Sequence, residues 1–209
     1  MIKLLTIPTA VAATLSIASA ATLQDHLNDM EAANLTPVVE VVEEKKEEKV
    51  SPKIVWECKG CSENEKKVLD FFQKYGIEDR YALATLMGNI KQESNFHTNI
   101  CEGGARVSYH RCYSGGFGLI QWTTYGRYHG LGHHATITRG NPDTLETQLS
   151  YLVTEREWKE AEWRFKTPGK SVGFYMKGAY RWLGWGIHGN RTHYTNQYVN
   201  WLTKLTPTP

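Results

Sequence analysis

The chain has 209 residues, 41% of them hydrophobic and 22% charged, with a formal net charge of +2. That is ordinary globular composition, enough for one domain with extensions and too little for a large multidomain assembly. No run of eighteen or more uninterrupted apolar residues occurs, which argues against a conventional membrane-spanning protein, and the near-neutral total conceals two unlike parts. Residues 22–53 carry eight acids against four lysines, whereas residues 54–209 carry fourteen acids against nineteen lysines and arginines. All 24 aromatic residues follow position 55, so the folded, functional part is expected in residues 54–209.

Residues 1–20 have the layout of a secretory signal. Lys3 is followed by a mostly apolar run from Leu4 to Ile17, and Ala18-Ser19-Ala20 supplies small residues before a cut at Ala21. Export follows as an expectation, to the periplasm, the medium or a virion, with no stable membrane insertion after cleavage. Residues 21–53 read as a flexible charged linker, because they have too little apolar surface to offset the entropy of ordering. The four cysteines, Cys58, Cys61, Cys101 and Cys112, are expected as disulfides in an oxidising compartment. Cys101–Cys112 with Cys58–Cys61 is the preferred pairing, although three connectivities are formally open.

Ser62-Glu63-Asn64-Glu65 is a capping box opening a first helix, which should stop at Gly76. Asp79 caps a second helix, with Ala82, Leu83, Leu86, Met87 and Ile90 at helical spacing. Residues 101–123, with paired glycines and alternating bulky and polar residues, predict a loop and a β-hairpin. Asn141-Pro142-Asp143 predicts a third helix start, Ser171 to Leu183 a further helix, and Asn190–Leu205 a final one. Mostly helices with one small hairpin gives an α+β domain.

On the second helix, an advance of about 100° per residue places Glu93 within the apolar stripe. A carboxylate on a buried face, at the negative end of a helix dipole, has its pKa raised. An acid kept protonated near neutrality is what protonation of a glycosidic oxygen requires. Pairing with an arginine is the competing structural role, since perturbed acids are also common in ion-pair networks.

Gly88-Asn89-Ile90-Lys91-Gln92-Glu93-Ser94-Asn95-Phe96, followed by Gly116-Phe117-Gly118-Leu119-Ile120-Gln121-Trp122-Thr123, resembles the phage tail-lysozyme type of muramidase domain. More broadly it is similar to goose-type lysozymes and lytic transglycosylases. Residues 145–155 resemble the helix that follows the hairpin in that family, so the likeness covers about residues 65–203.

The resemblance implies a lysozyme-like fold whose hairpin lines the cleft, with Glu93 as the catalytic acid. The substrate would be the β-1,4 bond after N-acetylmuramic acid in peptidoglycan. It implies further that Ser94 orients Glu93, that Gln121 and the backbone of Gly118 and Leu119 hydrogen-bond a sugar, and that Trp122 or Tyr125 gives a stacking face. Core packing is an equal alternative for Trp122. Glu102 and Ser108 repeat the intervals of a Glu–Asp–Thr set in another group of phage muramidases, which makes Glu102 a candidate supporting group. Hydrolysis by water and closure by the muramyl 6-hydroxyl both stay open.

His97, His110, His129, His133 and His134 match no metal-ligand spacing, so no metal or cofactor is expected. The basic surplus suits an anionic polymer, and export favours cell-wall glycan strands over nucleic acid as the partner. A phage virion is a further partner. A non-catalytic wall-binding module and a structural virion component are the alternatives from other classes.

Overall fold

The computed structural model describes residues 54–113 and 115–205; the expected signal and charged linker lie outside the described residues. Among the described residues seven α-helices follow a short strand, β1 (Trp56–Glu57). They are α1 (Glu63–Lys74), α2 (Arg80–Ser94), α3 (Tyr125–Thr138), α4 (Leu145–Leu152), α5 (Arg156–Lys166), α6 (Val172–Leu183) and α7 (Arg191–Trp201). A last strand, β2 (Thr203–Lys204), pairs antiparallel with β1, Trp56 opposite Lys204. This is the α+β class expected.

The caps act as written in the sequence. Ser62 and Glu65 form the complete capping box of α1, Asp79 accepts from the amides of Tyr81 and Ala82, and Ser171 accepts from Phe174. Gly76, at φ 97°, takes the left-handed turn that stops the chain after α1.

Helix α2 is the axis of the domain. Every residue from Ala82 to Ile90 is buried, which a helix can sustain only when neighbours cover it all round. Its polar members bond locally: Thr85 Oγ1 donates to Tyr81 O at 2.7 Å and Asn89 Nδ2 to Thr85 O at 2.8 Å. At Gly88 the backbone of α7 comes so close that a Cβ would stand 2.4 Å from the amide nitrogen of Thr195. The aromatic core (Phe72, Trp158, Phe165, Tyr175, Trp182) lies beside this axis.

Four expectations are corrected. Residues 101–123 form no regular hairpin; only single bridges occur there (Ile100 with Arg106, Phe117 with Cys101 and with Trp122), and the two-stranded sheet joins residues 56–57 to 203–204 instead. The glycines and the Cys101–Cys112 loop bend the chain too often for a ladder to propagate. Helix α3 was not foreseen, because its sequence YGRYHGLGHHATIT has no apolar stripe. The third helix begins at Leu145 after an N-cap at Thr144, with Asn141-Pro142-Asp143 forming the preceding turn, and it ends at Leu152, before α5 begins. The final helix stops at Trp201, where the chain extends to pair with β1. Both preferred disulfides form, Cys58–Cys61 and Cys101–Cys112.

Candidate functional site at the end of the buried helix

Glu93 and Ser94 are the last two residues of α2. Asn95 and Phe96 then both take left-handed conformations, φ 50° and 62°. For a bulky Phe this is strained backbone, and it persists because the ring is buried and its carbonyl accepts from Asn64 Nδ2 at 3.0 Å. The reversal sends residues 97–123 back against the end of α2.

The Glu93 side chain is only 15% exposed, and its Oε1 accepts from Nη2 of Arg191, the first residue of α7. No described residue donates to the other oxygen. Burial raises the pKa of Glu93, and the attraction of Arg191, then Arg127, opposes this without cancelling it; the net shift is upward. Arg191 is itself buried. Its guanidinium lies 4.5 Å from the centre of the Trp185 ring, and its Nε and Nη1 have no hydrogen-bond partner among the described residues. Burial lowers its pKa, against the pull of Glu93. Arg127, from the first turn of α3, is held by Glu155 through two bonds of 2.7 and 2.9 Å.

The other expected residues divide into two groups. The Ser94 hydroxyl donates to Leu119 O at 2.7 Å, not to Glu93, so it clamps the 118–121 turn to the helix. Both backbone polar groups of Gly118 and Leu119 are occupied within the protein. Gly118 N donates to Ile100 O, Leu119 N to Gln148 Oε1, and Gly118 O accepts from Gln121. Gln121 also spends its Nε2 on Ile100 O at 3.3 Å, and Trp122 is fully buried against Tyr151. These bonds tie the backbone of Gly118 and Leu119 and the Nε2 of Gln121 into the turn, while no described residue donates to Gln121 Oε1. Trp122 is a core residue.

Tyr125 and Glu102 reach solvent. Tyr125 is 80% exposed at the start of α3, its ring 4.1 Å from that of His129. The Glu102 carboxylate lies over Gly115, where it would collide with any Cβ. Beside Tyr125 opens a cavity of about 730 Å³, between Tyr109, His110, Cys112, Tyr113 and Gly115 on one side and α3 on the other; Glu93 does not line it.

Three residues that position the site escaped the sequence reading. Gln148 is fully buried on the core face of α4, and its Nε2 donates to both Thr98 O and Pro142 O at 2.7 Å. The available signal was its place three residues after Leu145 and four before Leu152, a polar side chain within an apolar stripe. Arg127 and Arg191 gave no such signal, since each depends on a partner far along the chain. Among the described residues no group of three or more His, Cys, Asp or Glu is placed to hold a metal ion.

Residues 63–201 match the model of the phage tail lysozyme family. No curated protein and no solved structure matches the chain.

Proposed function

The chain belongs to the phage tail lysozyme family, and on that premise we propose that it is a muramidase in which Glu93 is the general acid. Membership gives a lysozyme-like, peptidoglycan-lytic function in general terms. The finer reading is cleavage of the β-1,4 bond between N-acetylmuramic acid and N-acetylglucosamine. One observation supports it most: burial raises the pKa of Glu93 even with two guanidinium groups acting on it.

In the reaction the Glu93 proton passes to the glycosidic oxygen as its bond to the muramyl C1 breaks. Water or the muramyl 6-hydroxyl then adds to C1, and its proton returns to the Glu93 carboxylate. Arg191 holds the carboxyl in one orientation through one oxygen. Ser94 acts indirectly, by fixing the Gly118–Gln121 turn beside the acid, and Tyr125 supplies the exposed ring for a sugar. Glu102 faces solvent and serves at most the edge of the site.

Glu93→Gln keeps the shape and removes the proton donor. The expected result is a loss of more than about a hundredfold in clearing of purified cell walls. Mass spectrometry of the released muropeptides distinguishes reducing ends from 1,6-anhydro ends, and so hydrolase from lytic transglycosylase.

The Arg191 pairing favours a second reading, a wall-binding module in which Glu93 is a strut between α2 and α7. On that reading the Gln variant loses thermal stability but keeps its activity, or lack of it, per folded molecule. The expected export and association with a virion belong to this proposal and are tested by locating the protein in cell fractions and purified particles.

A further inference from the structure

Among the buried side-chain nitrogens and oxygens that no described residue bonds, two belong to a single side chain, Arg191; no other described side chain has two. The Arg191 side chain is 5% exposed, and only its Nη2 is engaged, on Glu93. Arg127, the other guanidinium acting on Glu93, is bonded through both Nε and Nη2 to Glu155. A buried donor left unbonded destabilises the fold, so a charged side chain with two such donors calls for an acceptor.

The cover over these donors is lightly held. The Trp185 ring lies 4.5 Å from the guanidinium and meets Tyr180 edge-on at 5.2 Å. It belongs to the connection between α6 and α7, which Gly184 and Gly189 bound in left-handed conformations, φ 66° and 58°. Ile187 within it is 84% exposed. Among the described residues no backbone–backbone hydrogen bond fixes 185–189. Two bonds of 2.8 Å hold its far end, His188 Nε2 with Thr192 Oγ1 and Asn190 N donating to Gln92 Oε1.

We infer that Arg191 selects a muramyl over a glucosaminyl ring, its Nε and Nη1 receiving the lactyl oxygens once the Trp185 connection swings aside. This rests on the muramidase reading and deepens it. The two sugars share the acetamido group at C2 and differ at O3. There muramic acid carries a lactyl ether ending in a carboxylate or, with the stem peptide attached, an amide carbonyl. C3 is next but one to C1, the carbon whose bond breaks when Glu93 gives up its proton. A ring placed for Glu93 therefore brings its lactyl group towards a guanidinium one hydrogen bond away from that carboxyl. Bonds from a guanidinium to a carboxylate or polarised carbonyl are stronger than those to the hydroxyl that glucosamine offers at the same position. Nη2 stays on Glu93, so the acid keeps its orientation while the sugar is read.

The test uses the wild-type full chain and disaccharides that contain no muramyl-to-glucosaminyl bond. These are N-acetylglucosaminyl-β-1,4-N-acetylmuramic acid, with and without its stem peptide, and N,N′-diacetylchitobiose. Calorimetry gives the affinities, and the Nε–H resonance of Arg191 reports contact. Both muramyl forms should bind about tenfold or more tightly than chitobiose, and they alone should move that resonance. Arg191→Met should bring the affinities within about threefold of each other. Trp185→Ala, which removes the cover but not the guanidinium, should preserve the preference and speed hydrogen exchange at Nε. Where Arg191→Met does not fold, the wild-type resonance decides. Equal affinities, an unmoved resonance, a shift that requires the stem peptide, a preference that survives Arg191→Met, or no binding at all would overturn the proposal. Binding is read without turnover, so a Glu93→Gln protein that still clears walls refutes the acid assignment alone. An inactive Glu93→Gln protein, with no muramyl preference in the wild type, refutes the Arg191 assignment alone.

Discussion

Helices α2 and α3 are built by opposite means. In α2 nine consecutive residues are buried, and one glycine, Gly88, admits the backbone of α7. In α3 only Leu131 and Ala135 are buried, and three glycines occupy a helix of fourteen residues, a composition that weakens an isolated helix. Gly130 and Gly132 are there because the hydroxyls of Tyr151 and Tyr109 press against the helix, at 2.2 and 2.5 Å from where a Cβ would stand. The first helix thus carries a buried, ion-paired acid and the second an open face with the exposed ring of Tyr125 beside His129.

The contrast can be broken from either side. The largest expected effect is catalytic: Glu93→Gln should abolish activity by more than about a hundredfold, measured on purified walls with folding checked by circular dichroism. Opening the Cys101–Cys112 bond by a double Ser substitution should cost about 3 kcal/mol for a loop of this length, read by denaturant unfolding. The three glycine positions then rank in order. Gly88→Ala should destabilise by about 1–3 kcal/mol, since the backbone of Thr195 cannot withdraw. Gly132→Ala should be destabilising but milder, because it meets a side chain, although one held by stacking. Gly126→Ala meets open space and should stabilise by up to about 1 kcal/mol through helix propensity. A stabilising Gly132→Ala would show that Tyr109 does not set the shape of α3.

Electrostatics sharpens the α2 side. Attraction by Arg191 lowers the pKa of Glu93 against the larger effect of burial. Arg191→Met should therefore raise that pKa further and move the basic limb of the pH–activity profile to higher pH. The sign for stability follows from the upward shift: Glu93 contributes stability below its unfolded pKa, which is lost as pH rises through the folded value. Glu65 has the opposite sign. Burial raises its pKa, but hydrogen bonds from Tyr198 and Ser62 with the attraction of Lys91 prevail and lower it. Its contribution is present above the unfolded pKa and lost as pH falls through the folded one, so Tyr198→Phe should reduce resistance to acid unfolding.

What could be read from the sequence alone was local. Capping residues satisfy amides one to three positions away, a period near 3.6 marks a face, and both signals are complete within one segment; hence α1, α2 and α6, and the placing of Glu93 on a buried face, were legible. The tertiary structure alone decided the rest. Arg191 reaches Glu93 across 98 positions of sequence, Gln148 holds Leu119 across 29, and α3 is helical where aromatic rings from 109 and 151 meet its glycines. Such contacts leave no periodicity in the chain, because each partner's residue type has meaning only beside the other.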